Sequence, residues 1–192
     1  MADPVSMLKS DHVRIRAILH ELLETTERGG KIREKLVAQL EMELMIHTKV
    51  EEETFYPAFK ALALDRDDRM LFFRAAEEHH NADVNLVELK RLETRSEQFT
   101  AKCEVIYNLL EAHLKMEEKE MFIRYKELTD PEHNVKLYDR MVRRRETLEA
   151  QWKSRLMRPI KRAQTTMEAF VPAKMKALRA DVLGGRATRG RA

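Results

Sequence analysis

The sequence predicts an all-α protein, an up-down antiparallel four-helix bundle with additional C-terminal helices. Three observations support this fold class. Glycine and proline number only five each among 192 residues, which favours long helices over strands and turns. Apolar residues recur at steps of three and four along four successive stretches of the chain. The connections between these stretches are short, which places consecutive helices side by side and antiparallel.

The first helix is predicted to begin at Asp3-Pro4, where an N-capping aspartate precedes a proline at the first helical position. Gly29-Gly30 is expected to end it. The interior residues follow one another at steps of three or four, and His12 belongs to the same series, so its ring should face the bundle interior. The apolar members of this series are Val5, Leu8, Ile15, Leu19 and Leu22.

The second helix is predicted from about Lys31. Pro57 should end or kink it, because proline has no N–H to donate and its ring clashes with the preceding turn. Two ionisable residues, His47 and Glu51, lie in the interior series of this helix. The other members of that series are Leu36, Leu40, Leu44 and Phe55.

The acidic linker at residues 65–68 is expected to open the third helix, whose interior series contains His79 among alanines and leucines. Thr94-Arg95-Ser96-Glu97 has the pattern of a capping box and predicts the start of the fourth helix. The interior series of the fourth helix contains His113 and Glu117. Each predicted helix therefore directs at least one ionisable side chain towards the core.

Two stretches of the chain repeat one pattern. Residues 47–56 read HTKVEEETFY and residues 113–122 read HLKMEEKEMF, so each has Lys two places after its His and Glu-Glu four and five places after it. Another histidine precedes each stretch at nearly the same distance, because His12 lies 35 residues before His47 and His79 lies 34 residues before His113. The bundle is therefore predicted to consist of two helical hairpins related by a pseudo-two-fold axis.

The repeated pattern places metal-binding side chains on one face of each helix. Residues four apart have their Cβ atoms about 6 Å apart, so a His-x-x-x-Glu motif offers two adjacent ligands. Buried carboxylates need a compensating cation, and no Lys or Arg lies on the inner stripes over the middle turns. Imidazole and carboxylate ligands suit iron, manganese or zinc. The candidate metal residues are His12, His47, Glu51, His79, His113 and Glu117.

On these residues the sequence resembles the hemerythrin-like, or HHE cation-binding, family over about residues 5–128. The resemblance rests on the segments DHVRIRAILHEL, HTKVEEETFYP, EEHHNADVNLVEL and HLKMEEKEMF, taken together. It implies an up-down four-helix bundle that holds two iron ions in a non-haem centre, with manganese or zinc as alternatives. It also implies that the four histidines are terminal ligands and that Glu51 and Glu117 are bridging carboxylates.

The sequence departs from the oxygen-carrying hemerythrins on the third helix, where those proteins have His-x-x-x-His. Here the residue four places after His79 is Asp83, and the residue four places after His80 is Val84. The missing fifth histidine argues against simple reversible oxygen carriage. We expect a site that is more open to water or that recruits Asp83 or Tyr56.

Two ligand assignments have alternatives. His80 is a second candidate on the third helix, although the hairpin repeat favours His79. Glu118 is a second candidate on the fourth helix, although the match to the second helix favours Glu117. The neighbouring glutamates Glu52 and Glu118 lie one step of about 100° round their helices from the site, so their removal should matter much less.

The charge distribution divides the chain into two predicted domains. Residues 1–129 carry 20 Lys and Arg against 26 Asp and Glu, whereas residues 130–192 carry 16 against 7. The first range is interpreted as the bundle, and the second as a basic helical extension with a disordered end. The extension is expected to pack on the bundle or on a second copy of the chain, with nucleic acid or an anionic membrane surface as the alternative partner.

Composition also predicts the compartment. The single cysteine, Cys103, excludes an intramolecular disulfide and fits a reducing cytosol. No apolar run is long enough for a transmembrane helix, and the N-terminus lacks a signal-peptide layout. The protein is therefore expected to be cytoplasmic.

The function predicted from the sequence is that of a di-iron protein that binds or senses oxygen or a related small molecule, such as nitric oxide or peroxide. One alternative is a redox enzyme at the same centre, acting in peroxide or nitric oxide reduction or in the repair of iron centres. Another is a scaffold whose basic C-terminal extension binds a partner. The sequence names no dedicated catalytic acid or base.

Overall fold

The computed structural model describes residues 3–63 and 65–169, and for residues 156–169 it describes the backbone alone. All regular structure in these ranges is helical. The α-helices are α1 Pro4–Glu24, α2 Gly30–Val50, α3 Tyr56–Leu62, α4 Arg66–Leu89, α5 Glu97–Met116, α6 Phe122–Leu128 and α7 Pro131–Ala169. A 3₁₀ turn spans Glu27–Gly29, and π turns span Glu51–Phe55 and Glu117–Met121.

The π turns join α2 to α3 and α5 to α6 without a break, so the bundle has four long helical segments. α1 contacts α2 and α5, and α4 contacts α5. The predicted all-α bundle with a C-terminal helical extension is confirmed. None of the helices in the described ranges is long and apolar enough to cross a membrane.

The helix starts follow the predicted capping in two cases out of three. The carboxylate of Asp3 accepts from the Val5 backbone N–H at 3.1 Å, and that of Asp65 accepts from the Asp68 N–H at 2.8 Å. The fourth long segment begins two residues later than a cap at Thr94 would place it. Ser96 is the N-cap there, because its hydroxyl accepts from the backbone N–H of Phe99 at 3.1 Å.

The end of α1 was predicted wrongly. The helix stops at Glu24, because both the backbone N–H and the hydroxyl of Thr25 bond to the Leu22 carbonyl and close the last turn. Gly29 instead ends the 3₁₀ turn, and Gly30 begins α2. The local competition of a threonine side chain for a helix carbonyl therefore outweighs the glycine pair as a stop signal.

Pro57 does not end the second helical segment, which continues to Leu62. The π turn Glu51–Phe55 ends two residues before Pro57 and widens the helix there. The matching π turn Glu117–Met121 occurs in a segment that has no proline, so proline is not the cause of the widening. Both π turns instead begin at the glutamate of a His-x-x-x-Glu motif, and such turns are often found at functional sites.

Two apolar clusters fill the interior, one at each end of the bundle. The predicted site residues lie between them. On α1, His12 lies between Leu8 of the first cluster and Ile15 of the second. On α4, Ala75 and Ala82 flank His79 in the same way. The site is therefore a polar layer with apolar packing above and below it.

The first part of α7 packs on the bundle. Leu137, Met141 and Leu148 are buried in the first apolar cluster, and Arg144 pairs with Glu53 at 2.5 Å. Residues up to Glu149 form one compact unit, and Ala150 begins a second. The predicted boundary after residue 129 remains a proposal, and the end that was expected to be disordered lies outside the described residues.

Arg33 ties together the connections at one end of the bundle. Its buried guanidinium donates to the hydroxyl and carbonyl of Thr25 at 2.8 and 2.9 Å. It also donates to the Thr94 carbonyl at 2.7 Å and the Thr100 hydroxyl at 3.0 Å, and it lies 5.1 Å from the centroid of the Phe99 ring. One side chain thus satisfies polar groups from both hairpins.

We expect Arg33→Lys to lower the free energy of unfolding by about 2 kcal/mol. A lysine ammonium cannot reproduce the planar fork, so several of the four acceptors would lose a donor worth about 0.5–1.5 kcal/mol each. Urea denaturation followed by circular dichroism measures the change. The exposed Arg28→Lys variant is the control and should stay within about 0.5 kcal/mol of the wild type. Equal stability of the two variants would contradict this role for Arg33.

Candidate metal centre

Six side chains from the four helical segments meet in the polar layer. They are His12 on α1, His47 on α2, Glu51 and Glu117 at the starts of the two π turns, His79 on α4 and His113 on α5. Each has at most 2% of its surface exposed. The structure therefore brings together all six residues that the sequence nominated as metal ligands.

The Nε2 atoms of the four histidines face the two carboxylates. Glu51 Oε2 lies 3.2 Å from His47 Nε2 and 3.3 Å from His79 Nε2. Glu117 Oε2 lies 3.2 Å from His12 Nε2 and 3.5 Å from His113 Nε2. Each carboxylate therefore contacts the histidine of its own motif and one histidine from the other hairpin.

Several of these inner atoms have no hydrogen-bond partner. Within the part of the chain that the structure describes, they include His12 Nε2, His47 Nε2, both oxygens of Glu51 and Oε2 of Glu117. Leaving such groups buried and unpaired costs several kcal/mol. Cations bound among them would pair with these atoms, so the donor set fits metal ions.

The side chains form two groups that share one carboxylate. His12, His47, Glu51 and Glu117 each offer one ligand atom within 4.8 Å of the others, and so do Glu51, His79 and His113. Three or four nitrogen and oxygen donors at such separations suit a first-row transition metal. The arrangement can hold one cation in each group, with Glu51 common to both.

The outer nitrogens of the four histidines also meet carboxylates. Glu118 Oε1 lies 2.7 Å from His12 Nδ1, Glu52 Oε1 lies 3.2 Å from His79 Nδ1, and Glu78 Oε2 lies 2.9 Å from His113 Nδ1. Asp11 Oδ2 lies 3.5 Å from His47 Nδ1. A carboxylate at Nδ1 fixes the ring orientation and leaves Nε2 free to bind a metal.

The sequence did not predict that these four carboxylates would lie at the outer nitrogens of the histidines. Glu52 and Glu118 were expected to lie away from the site. Their side chains are long enough, however, to reach His79 and His12 on other helices. A signal was available, since each outer carboxylate is adjacent in sequence to a candidate ligand. Asp11 and Glu78 precede the single histidines of their hairpins, whereas Glu52 and Glu118 follow the inner glutamates.

Tyr56 breaks the symmetry of the two halves. Its ring stacks on His79 with centroids 5.3 Å apart, just as Phe122 stacks on His12 at 5.5 Å. The Tyr56 hydroxyl donates to Glu117 Oε1 at 2.8 Å and lies 3.1 Å from His79 Nε2. Tyr56 and Phe122 occupy matching places in the repeat, so the hydroxyl is found on one half of the site.

The other residues considered from the sequence lie elsewhere. His80 is exposed and is not among the clustered side chains, which include His79. Asp83 is also exposed and does not enter the site. Glu117 has its carboxylate inside the cluster, whereas Glu118 lies at its edge and pairs with Arg16 at 2.7 Å.

Comparison with known proteins agrees with this geometry. The family model for the hemerythrin HHE cation binding domain matches residues 3–125. The chain belongs to this family. A crystal structure of a hemerythrin HHE cation binding domain-containing protein from Mycobacterium kansasii is similar, with 25% sequence identity and a TM-score of 0.71. That similarity covers 81% of this chain and 93% of the other. A comparison with curated proteins found no match.

The two inner glutamates of the HHE domain are equally buried, but their pKa values shift in opposite directions. Burial raises the pKa of Glu51 well above its ordinary value, and the nearby Glu117 charge raises it further. Burial also acts to raise the pKa of Glu117, but the His113 charge and the contact with His12 outweigh it and lower that pKa. Without a bound cation, Glu51 is therefore the carboxylate of the pair that takes up a proton more readily.

Two histidines of the HHE domain, His12 and His47, also have pKa values that shift in opposite directions. Complete burial lowers the pKa of His47 to about 4, so its ring is neutral at pH 7 and suited to bind a metal. Burial alone would also lower the pKa of His12, but its contact with Glu117 raises it above the ordinary value. A metal that binds at His12 must therefore displace a proton more readily held there than at His47.

In the metal-free protein, we expect Glu51→Gln to become stabilising as pH rises. The folded pKa of Glu51 lies above its ordinary value of 4.5, so its contribution to stability is present below 4.5 and is lost as pH rises through the folded pKa. Glutamine has no proton to lose. At pH 8 the variant should be more stable by about 1–3 kcal/mol, the usual cost of a buried group left without a partner.

Urea denaturation between pH 4.5 and 8 in the presence of a chelator tests this expectation. Glu120→Gln is the matched control, because Glu120 is exposed in the same kind of π turn. Parallel stability curves for the wild type and Glu51→Gln would show that Glu51 does not carry the extra proton.

Proposed function

We propose that this HHE-domain protein binds two iron ions and uses them to bind or sense oxygen or a related small molecule, such as nitric oxide or peroxide. The observation that supports this proposal is the pair of donor groups that share Glu51 in a buried layer. Four imidazoles and two carboxylates form a ligand set for iron, with manganese or zinc as alternatives.

The roles of the six side chains follow from their contacts. His12, His47, His79 and His113 would be terminal ligands, since each presents Nε2 inward and has a carboxylate near Nδ1. Glu51 and Glu117 would bridge, because each lies between histidines from both hairpins. The iron ions, when bound, would supply redox chemistry and open coordination positions.

The protein around the centre restricts access to it. Phe122 covers His12 and Tyr56 covers His79, while the two apolar clusters close the layer from both ends. Small uncharged molecules can enter such a site more easily than large or charged ones, because an apolar surrounding penalises charge. Diatomic gases and peroxide therefore fit the surroundings of the centre better than charged metabolites do.

Removal of either inner glutamate should abolish tight metal binding. We expect Glu51→Ala and Glu117→Ala each to lower the affinity for Fe(II) by at least about 100-fold. The double variant should be no worse than either single variant, because loss of one bridge already separates the pair. Metal analysis after anaerobic loading and desalting measures the occupancy, which should be about two per wild-type chain and close to zero in the variants.

Glu120→Ala serves as the control and should bind metal as the wild type does. On exposure to air, the loaded wild type should also gain near-ultraviolet charge-transfer absorption that the glutamate variants lack. A wild-type chain that holds fewer than about two metal ions, or retention of both ions by Glu51→Ala, would rule out the proposed centre.

A second candidate function is redox turnover at the same centre, and Tyr56 is the observation that favours it. Burial raises the pKa of Tyr56 well above its ordinary value, and the Glu117 charge adds to this effect. Its hydroxyl is therefore a neutral donor at the metal-binding layer, 2.8 Å from Glu117 Oε1. Such a group can donate a hydrogen bond to a bound small molecule and stabilise negative charge that develops on it.

If the protein turns over peroxide, Tyr56→Phe should lower kcat by about 10²–10³-fold while the two metal ions stay bound, because a hydrogen-bond donor to developing charge is lost. Continuous measurement of hydrogen peroxide consumption, with metal analysis of the same samples, tests this. Phe72→Tyr is the control because it adds a phenol beside Tyr56 but outside the polar layer. Consumption limited to one equivalent by the wild type would leave binding or sensing as the function.

The partners of the C-terminal extension remain proposals. We propose that its basic residues contact a second copy of the chain, nucleic acid or an anionic membrane surface, and that the protein is cytoplasmic. The apolar stripe of Leu137, Met141 and Leu148 is already used by the bundle. Such partners would therefore meet the exposed basic side chains of the extension rather than this stripe.

A further inference from the structure

A cation from the C-terminal helix reaches the carboxylate behind His47. Asp11 is almost fully buried, and its two oxygens pair with the guanidinium groups of Arg14 and Arg145. The oxygen that receives Arg145 is the one that lies 3.5 Å from His47 Nδ1. Arg145 belongs to α7, whereas Asp11 and His47 belong to the bundle.

The pairing with a cation from α7 distinguishes Asp11 from the other three outer carboxylates. Glu118 pairs with Arg16 on α1, Glu52 pairs with Lys49 on α2, and Glu78 pairs with Arg74 on α4. All three of these cations belong to the bundle itself. Across the ranges that the structure describes, Asp11 is the outer carboxylate that depends on α7.

The register of α7 directs Arg145 towards the bundle. Met141 and Leu148 lie four residues before and three residues after it, so all three share one face of the helix, and the two apolar residues are buried in the core. The Arg145 side chain is only 16% exposed, compared with 44% for Arg14. Its Nε atom is buried without an acceptor among the described residues, so its pairing with Asp11 is its main compensation.

We propose that Arg145 is a positioning residue of the metal centre, which holds Asp11 against His47 and thereby links the docking of α7 to metal binding. This inference rests on the proposed metal-binding function. His47 Nδ1 has Asp11 as its nearby carboxylate and has no hydrogen bond of its own, so the position of Asp11 decides how well the ring is held. Carboxylates behind ligating histidines typically change metal affinity by 10–100-fold.

The coupling must act in both directions. If Arg145 strengthens metal binding through Asp11 and His47, metal binding must stabilise the docked position of α7 by the same factor. The C-terminal helix would then report whether the centre is loaded. This gives the basic extension a defined relation to the metal site, whatever partner it contacts.

Cobalt(II) is the probe for the test, because its visible absorption reports ligand geometry and its affinity can be measured by competition with a chromophoric chelator. Arg145→Met removes the charge but keeps a long apolar stem. We expect it to bind cobalt(II) at least about 10-fold more weakly and to show an altered visible spectrum. Arg144→Met is the matched control, since Arg144 pairs with Glu53 on the same helix and does not contact Asp11.

A second variant and a double variant separate positioning from general stability. Arg145→Lys keeps a charge at this place without the planar fork, so it should fold as the wild type does and bind cobalt(II) several-fold more weakly. Asp11→Asn combined with Arg145→Met should be no worse than Asp11→Asn alone, because Arg145 acts through Asp11. Amide hydrogen exchange over residues 137–148 should slow on cobalt(II) binding in the wild type and change little in Arg145→Met.

The outcomes distinguish this proposal from the proposed function. A wild-type chain that binds no cobalt(II) would overturn both. Tight binding by the wild type, with unchanged affinity and spectrum in Arg145→Met, would overturn the role of Arg145 alone. Equal losses in Arg145→Met and Arg144→Met would also overturn it, because they would show a general effect of α7 packing. If Arg145→Met does not fold, wild-type affinity in Arg145→Lys would overturn the proposal.

Discussion

Two glutamates with no exposed surface, in a layer between two apolar clusters, are the constraint on which the rest of this structure depends. Charged groups in such a place need cations or protons, and the inner faces of the helices provide neither lysine nor arginine there. The four histidines around Glu51 and Glu117 do not supply a hydrogen bond to every inner atom, and several of these atoms have no partner in the described part of the chain. The layer is thus built for bound cations, which is the property that names the family.

The arrangement around this layer repeats in both hairpins. Each inner glutamate contacts a histidine from its own helix and one from the other hairpin, and each histidine has a carboxylate behind it. Each inner glutamate also begins a π turn. The widened turn adds a residue to the helix, so the aromatic residue that follows each turn, Tyr56 in one half and Phe122 in the other, faces the core beside a histidine.

The two halves differ where the chemistry of the centre would be decided. Tyr56 places a phenol beside His79, whereas Phe122 provides only an apolar ring beside His12. Asp11 receives a cation from α7, whereas its counterpart Glu78 receives one from its own helix. A symmetric scaffold therefore places its two groups of donor side chains in unlike surroundings, and one of these groups is connected to α7 through Asp11.

The sequence by itself determined the four amphipathic helical segments and the six inner residues, because helical periodicity decides which side chains share a face and the two hairpins repeat the same pattern. Tertiary structure decided the rest. The carboxylates behind the histidines, the arginine from α7 and the hydroxyl of Tyr56 depend on which helices are neighbours and how far their side chains reach. The π turns and the early end of α1 depend on local hydrogen bonds that periodicity does not encode. The apolar pattern of one helix can be read from the sequence, whereas contacts between helices arise only when the chain is folded.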